Sequence, residues 1–300
     1  MLIAACGGSS PLISDGSTGD GSDAEESASA PPTATPEPFI VGFGEEQRLL
    51  MAGTPQETPY YVFGSGRLGP IVVALGGVHG NEPGGWMAAE RLVDEVRPAN
   101  GALIVVPRAN KLAIALFQRT TDELGDLNRL YPGDASGQPM ARMAYEIVDM
   151  LKAWHATQVI DMHESWSFYA DRTDTQTGTA WLGQTMSSPS GPGATLARAL
   201  VDAQNGRMQA PREEFFFRDW PPRNEPRATA TPAPNGTPTA EPGTTGSTAV
   251  FGGSRSSLGL PNYVPGLATI LVEMGQQQPL ERRVQMHVDI VKEALVRLGA

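Results

Sequence analysis

The chain has 300 residues, 40% of them hydrophobic, and a formal net charge of -11, which allows one large domain or two small ones. Six of those negative charges, Asp15, Asp20, Asp23, Glu25, Glu26 and Glu37, lie in a stretch from Gly7 to Pro38 with no Lys or Arg and almost no large apolar residue, so residues 1–38 are expected to form a disordered acidic tether. The remainder is only mildly acidic and has no basic stripe, which argues against nucleic acid as a partner, and no run of about twenty apolar residues is present to span a membrane.

The single cysteine, Cys6, excludes an intramolecular disulfide and a cysteine metal cluster. Its context, Ile3-Ala4-Ala5-Cys6-Gly7-Gly8, resembles the cleavage box of bacterial lipoproteins. That resemblance implies a lipid anchor at Cys6, an extracytoplasmic place at the bacterial cell envelope, and a true start upstream of the present Met1, because five residues cannot hold a charged and an apolar signal region.

After the tether, Glu45 to Met51 and Tyr60 to Phe63 read as short strands. Gly64-Ser65-Gly66-Arg67-Leu68-Gly69 matches G-x-G-x-x-G, but a dinucleotide loop must lead into a helix and an apolar run follows, so a hairpin turn is expected. That run, Ile71 to Leu75, has the continuous apolar character of a central strand covered on both faces. Gly84 to Val96 has helical spacing, Leu103 to Val106 is a second buried strand, and this strand, helix, strand order predicts an α/β sandwich. Met140 to Trp154 is helical in period and leads to a third central strand, Gln158 to Met162. From Glu164 the period is lost. Thr195 to Ala203 reads as a helix, the Thr/Pro-rich stretch at about 227–248 as a disordered insertion, Ala268 to Val272 as another buried strand, and Leu280 to Leu298 as a terminal helix with Val284, Val288, Val291, Leu295 and Leu298 on one stripe. One interrupted domain over 39–300 is the expectation.

The chemistry-bearing residues gather at the ends of these strands. His79 and Glu82 follow the first central strand in Val78-His79-Gly80-Asn81-Glu82, His163 follows the third, and Glu273 follows Val272. In open α/β sheets ligands bind beyond the carboxyl ends of strands, so these residues can meet. Two imidazoles and a carboxylate are donors that zinc accepts, and three protein ligands leave a fourth position for water.

Between them lies Asp126-Leu127-Asn128-Arg129-Leu130-Tyr131-Pro132-Gly133. Gly-Gly-x-His-Gly-Asn-Glu, then Asp-Leu-Asn-Arg-x-Tyr-Pro-Gly, then Asp-x-His, then a strand ending in Glu resembles the zinc carboxypeptidase superfamily, including its succinylglutamate desuccinylase and aspartoacylase branch, over roughly residues 60 to 300. The resemblance implies a three-layer sandwich with a central mixed, mostly parallel sheet. It also implies one zinc ion per chain on His79, Glu82 and His163, with Glu273 as general base and then acid. Arg119 matches the arginine that stabilises the oxyanion, Asn128 and Arg129 the pair that holds a substrate carboxylate, and Asp126 the acid that orients the first zinc histidine. The implied activity is zinc-dependent hydrolysis of an amide bond in a small peptide or N-acyl amino acid; the alternative is a non-catalytic zinc- or ligand-binding surface lipoprotein. With 27 residues after Glu273, a compact peptidase-like form is expected over one with a further β-rich domain, although the Asp126 to Gly133 segment is closer to the deacylase branch.

Neighbouring groups are expected to stay outside the site. Asp161 and Glu164 flank His163, and alternation along a strand turns neighbours to the opposite face. His155 and His287 lie on predicted helices as surface or half-buried residues, and Tyr263 is expected to be structural. No G-x-S-x-G elbow is present, which disfavours a serine hydrolase.

Overall fold

The computed structural model describes residues 38–176, 178–220 and 255–300. The acidic tether with Cys6 and the insertion at about 227–248 lie outside the described residues. Eight strands form one sheet: β1 (Gly44–Leu50), β2 (Thr58–Gly64), β3 (Ile71–Leu75), β4 (Ala102–Val106), β5 (Gln158–Ser165), β6 (Thr185–Pro189), β7 (Phe216–Trp220) and β8 (Ala268–Gly275), in the spatial order β1-β2-β4-β3-β5-β8-β6-β7. The central run β4-β3-β5-β8 is parallel, as is β6-β7, while β1-β2, β2-β4 and β6-β8 are antiparallel.

Every residue of β3, β4 and β5 is buried, which is why β3 and β4 are continuously apolar instead of alternating, while β5 buries polar groups of the site, Asp161, His163 and Glu164, beyond its apolar start. The period of two shows instead in which core each residue enters. Val73, Leu75 and Val159 pack with Met143, Ile147 and Leu151 of α3 (Pro139–Ala153) on one face. Val72, Ala74, Ile160 and Met162 pack on the other face with Leu92 of α1 (Pro83–Glu95), Leu200 of α4 (Pro192–Asn205) and Val284, Val288 and Val291 of α5 (Leu280–Leu298). The result is the three-layer sandwich with a mixed sheet.

The expected hairpin at the G-x-G-x-x-G stretch is not formed. β2 and β3 are not neighbours, because β4 lies between them; the loop instead crosses the entry of β4, where Ser65 N–H donates to Gly101 O at 3.0 Å and Gly101 N–H to Arg67 O at 3.1 Å. The nucleotide reading fails for the reason given, since β3 and not a helix follows. The stretch that lost its period after Glu164 contains β6 and β7, and a short helix, α2 (Lys111–Leu116), sits between β4 and Arg119. His287 is also corrected: it is fully buried on the inner face of α5, whereas His155 is exposed beyond α3. Tyr263 packs against the core beside α3. Among the described residues no helix is long and apolar enough to cross a membrane.

Candidate metal centre

The loop after β3 is shaped by close approach. Gly80 packs so tightly on α2 that a Cβ there would lie 2.1 Å from the Ala113 carbonyl carbon. α2 in turn is held at its start by Asn110, whose Oδ1 accepts from Ala113 N–H at 3.2 Å. α1 begins directly after Glu82 with Pro83 at its first position, where a missing N–H costs nothing. A Cβ on Gly84 would fall 2.1 Å from Glu164 Oε1. Glu164 is clamped from the other side by Arg283 of α5 at 2.6 Å, a buried ion pair, and its own N–H donates to Glu82 Oε2 at 3.0 Å. The helix start that carries Glu82 is therefore fixed against β5.

His79, Glu82 and His163, all buried, offer ligand atoms that lie within 4.8 Å of one another. His79 Nδ1 is 2.7 Å from Glu82 Oε1, His163 Nδ1 is 2.8 Å from Glu82 Oε2, and the two Nδ1 atoms are 3.1 Å apart. The outer nitrogens are both engaged: His79 Nε2–H donates to Asp126 Oδ1 at 3.2 Å and His163 Nε2–H to Asp161 Oδ2 at 2.9 Å. A neutral imidazole protonated on Nε2 presents a lone pair at Nδ1. Two such lone pairs and a carboxylate facing one another repel unless a cation sits among them, and a carboxylate on the far nitrogen of each histidine is the usual support of a metal ligand. The donor set suits zinc.

Burial would lower the pKa of His163, but Asp161 and Glu82 carry it well above its ordinary value. Burial would likewise raise Glu82, yet His79 and His163 outweigh it and hold the carboxyl well below the usual range. Asp126 is lowered too, by the His79 hydrogen bond and Arg119 against the effect of its burial.

Glu273 lies opposite His163 in the β5–β8 register. It accepts from Ser165 Oγ at 2.8 Å, and burial, in spite of His163, raises its pKa above the ordinary carboxylate value. Arg119 reaches the site, with its guanidinium 3.4 Å from Glu82 Oε1 and 3.2 Å from Asp126 Oδ2. Asn128 is buried and its Oδ1 accepts from Ser257 N–H at 2.9 Å, which leaves the amide NH2 as its donor. Arg129 is exposed and donates to Asn128 O at 2.8 Å.

The alternation argument holds for Glu164, which points away to Arg283, and fails for Asp161. Two residues from His163, Asp161 shares its face and grips its Nε2, although it stands outside the ligand group. The signal was the Asp-x-His spacing itself. The Glu164–Arg283 clamp had no local signal, since its partners are 119 residues apart.

Residues 68–167 match the family model of the succinylglutamate desuccinylase/aspartoacylase catalytic domain. The matched segment contains His79, Glu82, Arg119, Asp126, Asn128, Arg129 and His163 and leaves out Glu273. The N-alpha-acetyl-L-2,4-diaminobutyric acid deacetylase of Halomonas elongata is 33% identical over 98 residues, 32% of this chain and 28% of that protein. Beyond the matched segment the similarity is one of fold. The apo cell shape determinant protein Csd4 of Helicobacter pylori superposes with a TM-score of 0.62 at 16% identity, covering 85% of this chain and 55% of that one. A succinylglutamate desuccinylase/aspartoacylase of Rhodobacter sphaeroides gives 0.56 at 18% identity, covering 88% and 68%. The chain thus spans about half the length of Csd4.

Proposed function

We propose that the protein is a zinc-dependent hydrolase of an amide bond in a small substrate with a free carboxylate, a peptide or an N-acyl amino acid. The observation that carries this reading is the convergence of the two imidazole Nδ1 atoms and the Glu82 carboxylate, with Glu273 beside them. His79, Glu82 and His163 would hold one zinc ion, which supplies Lewis acidity toward a water molecule and toward the scissile carbonyl.

The chain supplies the remaining roles. Glu273, half-buried and steadied by Ser165, takes the proton of the attacking water and passes it to the leaving nitrogen, so that water and amide become acid and amine. Arg119 places a fixed cation where negative charge develops on the carbonyl oxygen. Arg129, at the exposed rim, and the Asn128 amide hold the substrate carboxylate, a task that suits the planar guanidinium fork. Asp126 keeps His79 in the required tautomer. The relatives point the same way: one is named an acetyl-amino-acid deacetylase, and Csd4 is described as a D,L-carboxypeptidase.

The test is hydrolysis by the zinc-loaded protein of a panel of peptides and N-acyl amino acids. The wild type should release amine, and Glu273→Gln should lose about 10²–10⁴ of kcat, the usual worth of a general acid–base group, with zinc still bound. Zinc-loaded Glu273→Gln that keeps full activity overturns the assignment.

A further inference from the structure

Two buried polar atoms beneath the metal centre have no hydrogen-bond partner among the described residues: the hydroxyl of Tyr131 and Oδ1 of Asp161. Both side chains are completely buried, where a hydroxyl or carboxylate oxygen left without a partner is destabilising. A phenol is a donor and a carboxylate oxygen an acceptor, so the two orphans are complementary.

Their placement makes the pairing reachable. Tyr131 packs in the same core as Val159, on the face into which Asp161 and His163 also point by the period of two along β5. Its backbone is pinned, since Tyr131 N–H donates to Arg255 O at 3.1 Å. Its phenol lies in the field of both outer carboxylates: burial first, then Asp161, then Asp126, push it well above its ordinary pKa and keep it a neutral donor. Asp161 uses Oδ2 for His163, and a carboxylate held by one oxygen alone can swing and release the imidazole to its other tautomer.

We infer that Tyr131 is a positioning residue for the metal centre: its hydroxyl donates to Oδ1 of Asp161 through one buried water and so locks the Asp161 carboxylate that aims His163 Nδ1. The inference rests on the metal-site reading above, and its test separates the two. Zinc affinity is measured by chelator competition for wild type, Tyr131→Phe, Asp161→Asn and the double variant, and visible spectra are recorded after cobalt loading.

Tyr131→Phe should weaken zinc binding about ten-fold or more, within the 10–100-fold range of outer-sphere partners, shift the cobalt absorption, and leave the metal-free melting temperature near wild type. In the Asp161→Asn background the same change should cost almost nothing, because coupled residues are non-additive. Unchanged affinity and cobalt spectrum in Tyr131→Phe, or a full additional loss in the double variant, overturns the inference. A wild type that binds no zinc overturns the metal-site reading. Should Tyr131→Phe fail to fold, 3-fluorotyrosine at position 131 gives a 19F resonance that must move on zinc loading, and a resonance that does not move contradicts the coupling.

Discussion

His79 and His163 both turn Nδ1 inward, and a carboxylate faces the other ring nitrogen of each, a single feature that would suit two ordinary buried histidines to hold a metal ion between them. Arg129 carries a separate prediction. If it grips the substrate carboxylate, Arg129→Ala should raise KM about 10–100-fold, the worth of a charge-assisted hydrogen bond, and Arg129→Lys should restore only part of it because an ammonium lacks the fork; steady-state kinetics on carboxylate and amidated substrates decide, and equal losses on both would count against the role. At this scale the sequence was informative wherever a motif kept its residues close together: His79 with Glu82, and Asp126 with Asn128 and Arg129. Asp161 was misjudged as a neighbour on the opposite face although it lies two residues away. His287, expected to be a surface or half-buried residue, is fully buried, and with Val284, Val288 and Val291 it completes the i, i+3, i+4, i+7 stripe of an inner helix face.

At the level of elements, the site is built by strand ends. β3 delivers His79 through a turn pressed against α2, β5 delivers His163, and β8 sets Glu273 opposite it. Gly80→Ala should therefore do double harm. A Cβ 2.1 Å from a backbone carbonyl carbon has no flexible neighbour to displace, and overpacking of this kind costs about 1–3 kcal/mol; thermal melting should show the loss, and chelator competition a weaker zinc site. Melting and zinc binding at wild-type levels would show that the loop tolerates the change. The strands of the central run were legible because burial on both faces gives each an apolar core, Ile71 to Leu75, Leu103 to Val106, Val159 to Ile160 and Ile270 to Val272. β6 and β7 were not: Thr185 to Ser188 of β6 are buried through polar contacts such as Ser188 Oγ donating to Thr269 O at 2.7 Å, and β7 is a half-buried edge strand, so neither leaves a hydrophobic pattern. The G-x-G-x-x-G loop was misjudged because strand adjacency in space is not written in loop composition.

At the scale of the whole molecule, two cores sandwich the sheet, and the one beside α5 encloses a histidine. Burial, aided by the positive charges of His163 and Arg283, pushes His287 down to about 3. The unfolded chain, with an ordinary histidine pKa of about 6.5, binds that proton first. The contribution is therefore fully present above about pH 6.5 and is lost as pH falls toward the folded value, with an upper limit of roughly 5 kcal/mol. Denaturant unfolding of the metal-free protein should show His287→Leu losing less stability than wild type between about pH 6.5 and 4, and identical pH slopes would contradict this origin. The fold and the site together make one central claim, that His79, Glu82 and His163 form a zinc centre, and equilibrium dialysis against zinc tests it most directly: about one zinc per chain in the wild type and none retained tightly in His163→Ala, against a wild type and variant that bind alike, which would contradict it.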